Sequence, residues 1–191
     1  MAAPARLQAL PEIEAALWHE LARAVRERDH AWRLATLATV SAQADGVHPE
    51  ARTVVLRDCD PEARRLLVYT DARSAKAQQA ERRPQGVLVL WSAALGWQLR
   101  LQVALVLHTG GLQVSSRWAQ LQLTPAAQDY LAPLPPGTTL GDDRQAAPDR
   151  GSRSHFAVLE CQVQSTDWLE LHRDGHRRAR FGADGARWLV P

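Results

Sequence analysis

The residues able to do chemistry concentrate between Glu50 and His108. Arg52 and Arg57 bracket the apolar run Thr53-Val54-Val55-Leu56, Tyr69 and Thr70 close the next strand-like run, and Arg73, Ser74 and Lys76 follow in a short basic segment. Arg offers a bidentate fork, Lys a point charge and Ser or Thr a hydroxyl, and the N–H groups of a helix start add to them. Such a set suits a phosphate monoester. The competing reading is an ordinary solvated basic surface, which isolated Arg, Lys and Ser groupings commonly form. Gln98 stands in a later apolar strand, where a buried amide has to be paired.

Strands must position these groups. Alternating apolar runs at 51–57, 65–70, 86–91 and 97–109, separated by short polar turns, indicate an antiparallel meander interrupted by one helix over Ser74 to Arg82, which Pro84 ends. Upstream, Ile13, Leu17, Leu21 and Val25 recur every four residues and predict an amphipathic helix from Pro11 to Arg28. Trp32 to Val40 reads as the first strand. Val103-Ala104-Leu105-Val106-Leu107 is continuously apolar, as in a strand buried on both faces, and a subunit interface would do that burying. Ser115-Ser116 are placed to cap a helix from Arg117 to Gln122, and Thr124-Pro125 to start another. His155 to Thr166 and Trp168 to Leu171 continue the sheet, and an Asp-Gly turn at 174–175 leads to the return strand.

The chain has 191 residues, 46% hydrophobic and 23% charged, with a net charge of +2. That is one domain's worth of core, expected over 1–191 with a loose tail at 1–10 and a Pro/Gly-rich loop at 131–153. The charge is too small to argue for a nucleic-acid or membrane partner, and no 18-residue apolar run or signal-peptide pattern is present. Cys59 and Cys161 have no metal-ligand spacing and read as free thiols of a cytoplasmic protein. No metal site is expected.

The order Arg-Thr-Val-Val-Leu-Arg at 52–57, Val-Tyr-Thr at 68–70, Ser-x-Lys at 74–76 and Trp-Gln-Leu-Arg at 97–100 resembles the FMN-binding split barrel of the pyridoxamine 5′-phosphate oxidase family. Asp167-Trp168, Arg180-Phe181 and Trp188-Leu189-Val190-Pro191 resemble that family's closing pattern. The likeness runs from Trp32 to Pro191 and is weakest between Arg117 and Ser154.

The resemblance implies a mainly β fold: an antiparallel six-stranded Greek-key-type barrel with flanking helices, the FMN-binding split barrel, working as a homodimer with FMN at the subunit interface. It implies that Arg52, Thr53, Val54 and Val55 line the flavin, with backbone groups of Thr53 to Val55 facing the ring edge and Arg52 near the phosphate or ribityl chain, and that Tyr69, Thr70, Ser74 and Lys76 contact flavin or phosphate. Gln98 matches a contact to the flavin ring, and Trp168 and Arg180 match contacts from the second subunit. Ala75 stands where the family has an arginine, which leaves Arg73 as the residue to supply that charge. Catalytic candidates by the same likeness are Arg57, His176 and Arg178. The substrate phosphate clamp of the true oxidases aligns with Trp118, Gln122 and Ala126, and is missing.

The function expected is therefore that of an FMN-binding oxidoreductase acting on an unidentified small molecule, in the family's broader branch. Its alternatives are a genuine pyridoxamine/pyridoxine 5′-phosphate oxidase and a non-catalytic flavin or haem module, for which His108, His155 or His172 would be the axial ligand.

Overall fold

The computed structural model describes residues 6–43, 45–139 and 155–191. Helix α1 (Leu10–Ala24) buries Ile13, Leu17, Trp18 and Leu21, the stripe that a 3.6-residue period places on one face. It ends short of the expected Arg28, where the N–H groups of Arg26 and Glu27 both fold back onto Arg23 O at 2.9 Å. Trp32 lies in a 3₁₀ turn, Ala31–Arg33, instead of a strand. Then follow β1 (Leu34–Gln43), β2 (Gly46–Asp60), β3 (Arg65–Asp71), helix α2 (Ala75–Arg82), β4 (Gln85–Ser92) and β5 (Trp97–His108).

Helix α3 (Gly111–Leu121) and a 3₁₀ turn (Pro125–Tyr130) precede β6 (Phe156–Glu170), β7 (Arg177–Gly182) and β8 (Gly185–Leu189). The serines expected to cap α3 lie inside it. Ser115 Oγ donates to Gly111 O at 3.0 Å, a back-bond that satisfies the hydroxyl within the helix and lets the helix begin at the glycines.

All pairings are antiparallel, in the order β3-β2-β1-β4-β5-β6-β7-β8, and a further pairing of β3 with β6 closes the first six strands on themselves. This is the expected barrel, with β7 and β8 carried on the far half of the long strand β6. Inside it lies one core containing Leu37, Leu56, Val68, Leu99, Leu101, Trp97 and Trp168. A second, outside β3 and β6, packs Trp118, Leu121 and Tyr130 onto Phe156 and Val158. Strand β5 shows why two-residue alternation suffices: Trp97, Leu99, Leu101, Val103 and Leu105 are buried, while Val106 is 46% exposed. The Val103 to Leu107 run is thus buried on one face only within this chain. Gly86 allows β4 to lie close to β1, since a Cβ there would meet Ala38 O at 3.0 Å.

Residues 6–9, expected within a loose tail, are docked. Arg6 Nε donates to Glu170 Oε2 at 2.7 Å, and Arg177 Nη1 donates to Leu7 O at 2.7 Å. Glu170 is 5% exposed and also receives Arg177 Nε at 2.8 Å, so one buried carboxylate holds two arginines and with them the segment before α1. The 131–153 loop lies outside the described residues from 140 onward.

Burial by itself would raise the Glu170 carboxyl, but the bonds from Arg177 and Arg6 outweigh it and hold the group below its ordinary 4.5. A carboxyl depressed in the folded state stabilises the fold above its unfolded pKa, and that stability is lost as pH falls through the folded value. The melting temperature is therefore expected to drop as pH falls below 4.5, with a shallower drop in Glu170→Gln. Thermal scans of both proteins from neutral to acid pH check this, and parallel curves would contradict it.

Both cysteines are free, and burial pushes both thiols up to about 12. They are not poised for a disulfide: Cys59 pairs with Leu66 of β3, and Leu66 pairs with Cys161 of β6, so a whole strand lies between them. Among the described residues no helix is long and apolar enough to cross a membrane.

Candidate functional site

Strand β3 ends where α2 begins, and this junction gathers the cations. Thr70 and Ser74 are 2% and 3% exposed, with their hydroxyls 3.0 Å apart. Ser74 occupies the N-cap position without using its side chain as a cap, and the first N–H groups of α2 have no partner inside the helix. Lys76, half-buried one position into that turn, has its ammonium held below the ordinary lysine value by burial and then by the charge of Arg52.

Arg52 reaches the same place from β2. Its Nη1 donates to Thr39 Oγ1, and its Nη2 donates to Gln79 Oε1 and Glu50 Oε2, both at 3.1 Å. The nearby carboxylate of Asp71 offsets this only in part, because it is bonded to Arg73. It receives Arg73 Nη2 at 2.7 Å and Arg73 Nε at 3.1 Å. A desolvated ammonium beside a guanidinium, with two buried hydroxyls and open helix N–H groups, is a site for an anion.

Arg73 itself is turned away. Besides Asp71 it donates to the carbonyls of Pro133 and Ala132 at 3.0 and 2.8 Å, which ties the residues after Tyr130 to the end of β3. Its fork is thus occupied by Asp71 and these carbonyls.

A cavity of about 410 Å³ adjoins this cluster through Thr39. Ala38, Val40, Val87 and Val103 make it mainly apolar, with Gln102 and Gln164 as polar lining. The two glutamines also line a smaller cavity of about 190 Å³ that contains Arg180. Arg180 stands on the outward face of β7, its Nη2 at 3.4 Å from Gln102 Oε1. Gln98 is half-buried, two residues along β5 from Arg100, whose strand partner Asp167 faces Arg180.

The family is decided by comparison with known proteins. Residues 15–109 match the family described as pyridoxamine 5′-phosphate oxidase, FMN-binding domain. A pyridoxamine 5′-phosphate oxidase-related, FMN binding protein of Nostoc punctiforme superposes with a TM-score of 0.72 at 26% identity, over 96% of this chain and all of that one. The chain belongs to the pyridoxamine 5′-phosphate oxidase-related FMN-binding family.

PhzG from Burkholderia lata, solved in complex with tetrahydrophenazine-1-carboxylic acid, shares the fold at a TM-score of 0.70 and 18% identity, over 95% of this chain and 92% of that one. A pyridoxine/pyridoxamine 5′-phosphate oxidase of Microcystis aeruginosa is 39% identical over 67 residues, 35% of this chain. The match spans only 29% of that enzyme's length, under a third. FMN is the family's cofactor, and the donor set at the β3–α2 junction fits its phosphate: cations, hydroxyls and helix N–H groups converge there without a carboxylate to neutralise Lys76.

The side chains of the other expected residues lie as follows. Thr53 is exposed and Val55 half-buried on one face of β2, while Val54 is in the core. Trp168 is 0% exposed, packed between Trp97 and Trp188 at 5.5 and 6.3 Å. Strand alternation turns Asp167 and Leu169 outward at that point.

Arg57 sits at a β-bulge between Leu56 and Asp58, which releases it from the alternation. Its guanidinium lies 5.6 Å from the Tyr69 ring centre, and its buried Nε has no partner. Tyr69 faces the second core, 5.2 Å from Phe156, away from Thr70 and Ser74. Burial raises the Tyr69 phenol, which stays neutral. Arg178 is paired with Asp167 at 2.7 Å, and His176 Nδ1 accepts from His172 N–H in an exposed turn. Trp118 packs on Phe156, Gln122 is exposed and Ala126 is half-buried, so these three form no phosphate clamp. His108, a haem candidate, contacts Glu160 at 3.2 Å.

Three residues of the site were not singled out from sequence. Thr39 reads as an ordinary strand threonine, Glu50 as a surface acid and Gln79 as a helix filler. A polar residue three positions after Lys76, on the same helix face, was the available signal for Gln79.

Proposed function

We propose that this chain is an FMN-dependent oxidoreductase acting on a small molecule as a homodimer in the cytoplasm, folded as one domain. The observation that carries the reading is the half-buried Lys76 ammonium beside Arg52, with Asp71 committed to Arg73. Lys76, Arg52, Ser74 and Thr70 hold the FMN phosphate, and the 410 Å³ cavity takes apolar parts of the cofactor. When bound, FMN supplies hydride chemistry at its ring. Gln98 offers an amide donor and acceptor to the ring edge, and Arg180 a cation.

The dimer is supported by strand order. Arg52 and Gln98 lie on β2 and β5, with β1 and β4 between them, about 14 Å along the sheet. Gln98 and Arg180 also face outward, so they serve a flavin bound by a second copy more readily than one held by their own Arg52. Exposed Trp91, Val106 and Trp188, at 45%, 46% and 45%, leave apolar surface for that copy to cover. Arg57, which lies against the Tyr69 ring with no ion pair among the described residues, is the candidate cation for an anionic substrate, whereas Arg178 is already neutralised by Asp167. The unformed clamp at Trp118, Gln122 and Ala126 speaks against pyridoxamine 5′-phosphate as that substrate.

The test is an FMN titration read by quenching of flavin fluorescence, with light scattering for mass, followed by aerobic addition of pyridoxamine 5′-phosphate while hydrogen peroxide is monitored. Saturable binding by a dimer without peroxide is the expected result. Steady peroxide would favour a genuine oxidase, and absence of FMN binding would overturn the reading.

A further inference from the structure

A buried glutamine organises the guanidinium to which the phosphate is assigned. Gln79 is 7% exposed on α2, and Thr39 is 2% exposed on β1. Gln79 Oε1 accepts two hydrogen bonds, one from Thr39 Oγ1 at 2.5 Å and one from Arg52 Nη2 at 3.1 Å. Thr39 Oγ1 in turn accepts from Arg52 Nη1, and Leu37 O lies 3.4 Å from the same nitrogen. Both terminal nitrogens of the fork are therefore held by neutral groups anchored in two different elements.

A free arginine side chain samples many rotamers and loses that freedom on binding an anion. Here the loss is taken when α2 docks on the barrel, so the charge is already aimed. Among the described residues the one charged partner of Arg52 is Glu50, a more exposed carboxylate at 3.1 Å, which an incoming phosphate can replace. Gln79 lies one helical turn after Ala75, on the helix face that presents Lys76.

We propose that Gln79, together with Thr39, is a positioning residue that presents Arg52 to the FMN phosphate and so offsets the arginine absent at Ala75. This rests on the phosphate placement above. Neither residue touches the cofactor in this role; each acts through Arg52. The consequence is selective: the pair matters for ligands that carry the phosphate and not for the flavin ring.

Gln79→Met keeps the length of the side chain and removes the acceptor. FMN and riboflavin are titrated against the parent, Gln79→Met, Arg52→Ala and the double variant, with melting temperatures measured alongside. Gln79→Met is expected to weaken FMN about tenfold, the loss of one charge-assisted bond, to leave riboflavin affinity unchanged, and to add nothing when Arg52 is already alanine. An equal loss for FMN and riboflavin, or a full Gln79→Met effect in the Arg52→Ala background, would overturn the proposal, because the residue would then act on the fold or on the ring. Thr39→Val carries the same comparison if Gln79→Met does not fold. If Arg52→Ala alone leaves FMN affinity intact, the phosphate placement fails; if it weakens FMN and Gln79→Met does not, only the positioning role fails.

Discussion

Replacing Lys76 with alanine is expected to weaken FMN binding by roughly ten- to a hundredfold, from loss of a charge-assisted contact of about 1.5–3 kcal/mol. The cofactor-free protein should be no less stable for it. Burial and the neighbouring Arg52 both disfavour the ammonium, and only Asp71, already bonded to Arg73, attracts it. Removing the charge therefore relieves the empty site while depriving the phosphate of a partner, the opposition of stability and function common at binding sites.

The depressed lysine also sets a pH dependence. As pH rises through its lowered value, Lys76 loses its proton in the free protein, and FMN affinity falls earlier than an ordinary lysine at 10.5 would allow. Fluorescence titrations of parent and Lys76→Ala across alkaline pH check both statements. Equal affinities for the two proteins would place the phosphate elsewhere.

Trp168→Ala is expected to cost about 3–5 kcal/mol of folding stability, the range for emptying a large buried aromatic site. The indole is fully buried, edge-on to Trp97 at 5.5 Å, with the Arg177 guanidinium 5.6 Å from its ring. Trp168→Phe should cost less, since it keeps an aromatic core and removes an indole N–H that has no partner. Chemical denaturation of the apo proteins measures both. A Trp168→Ala variant as stable as the parent would contradict this.

These two residues also show how far the sequence reaches. Lys76 was legible because Ser-x-Lys after a strand carries its chemistry in local spacing, and the helix start that presents it is a local event. The burial of Trp168 was not legible, because a motif gives the order of residues and not the side of the strand on which each lies. That side depends on register, and one residue of shift exchanges core for surface. The partners of Arg73 were hidden for a related reason: its position two residues before Ala75 says nothing of the carbonyls of 132–134, some sixty residues on, that occupy its fork.

By itself the sequence determined the number and order of the main strands, the helix between β3 and β4, the family resemblance and the cationic chemistry at the start of that helix. All of these follow from periodicity, turn residues and short motifs. Only the tertiary structure decided that β3 closes on β6, that Arg57 leaves the alternation at a bulge, that residues 6–9 are held by a buried Glu170, and that Gln79 and Thr39 steer Arg52. Each of these depends on groups 40 or more positions apart or on register between strands, and a residue's neighbours across a sheet are set by the closure of the whole barrel.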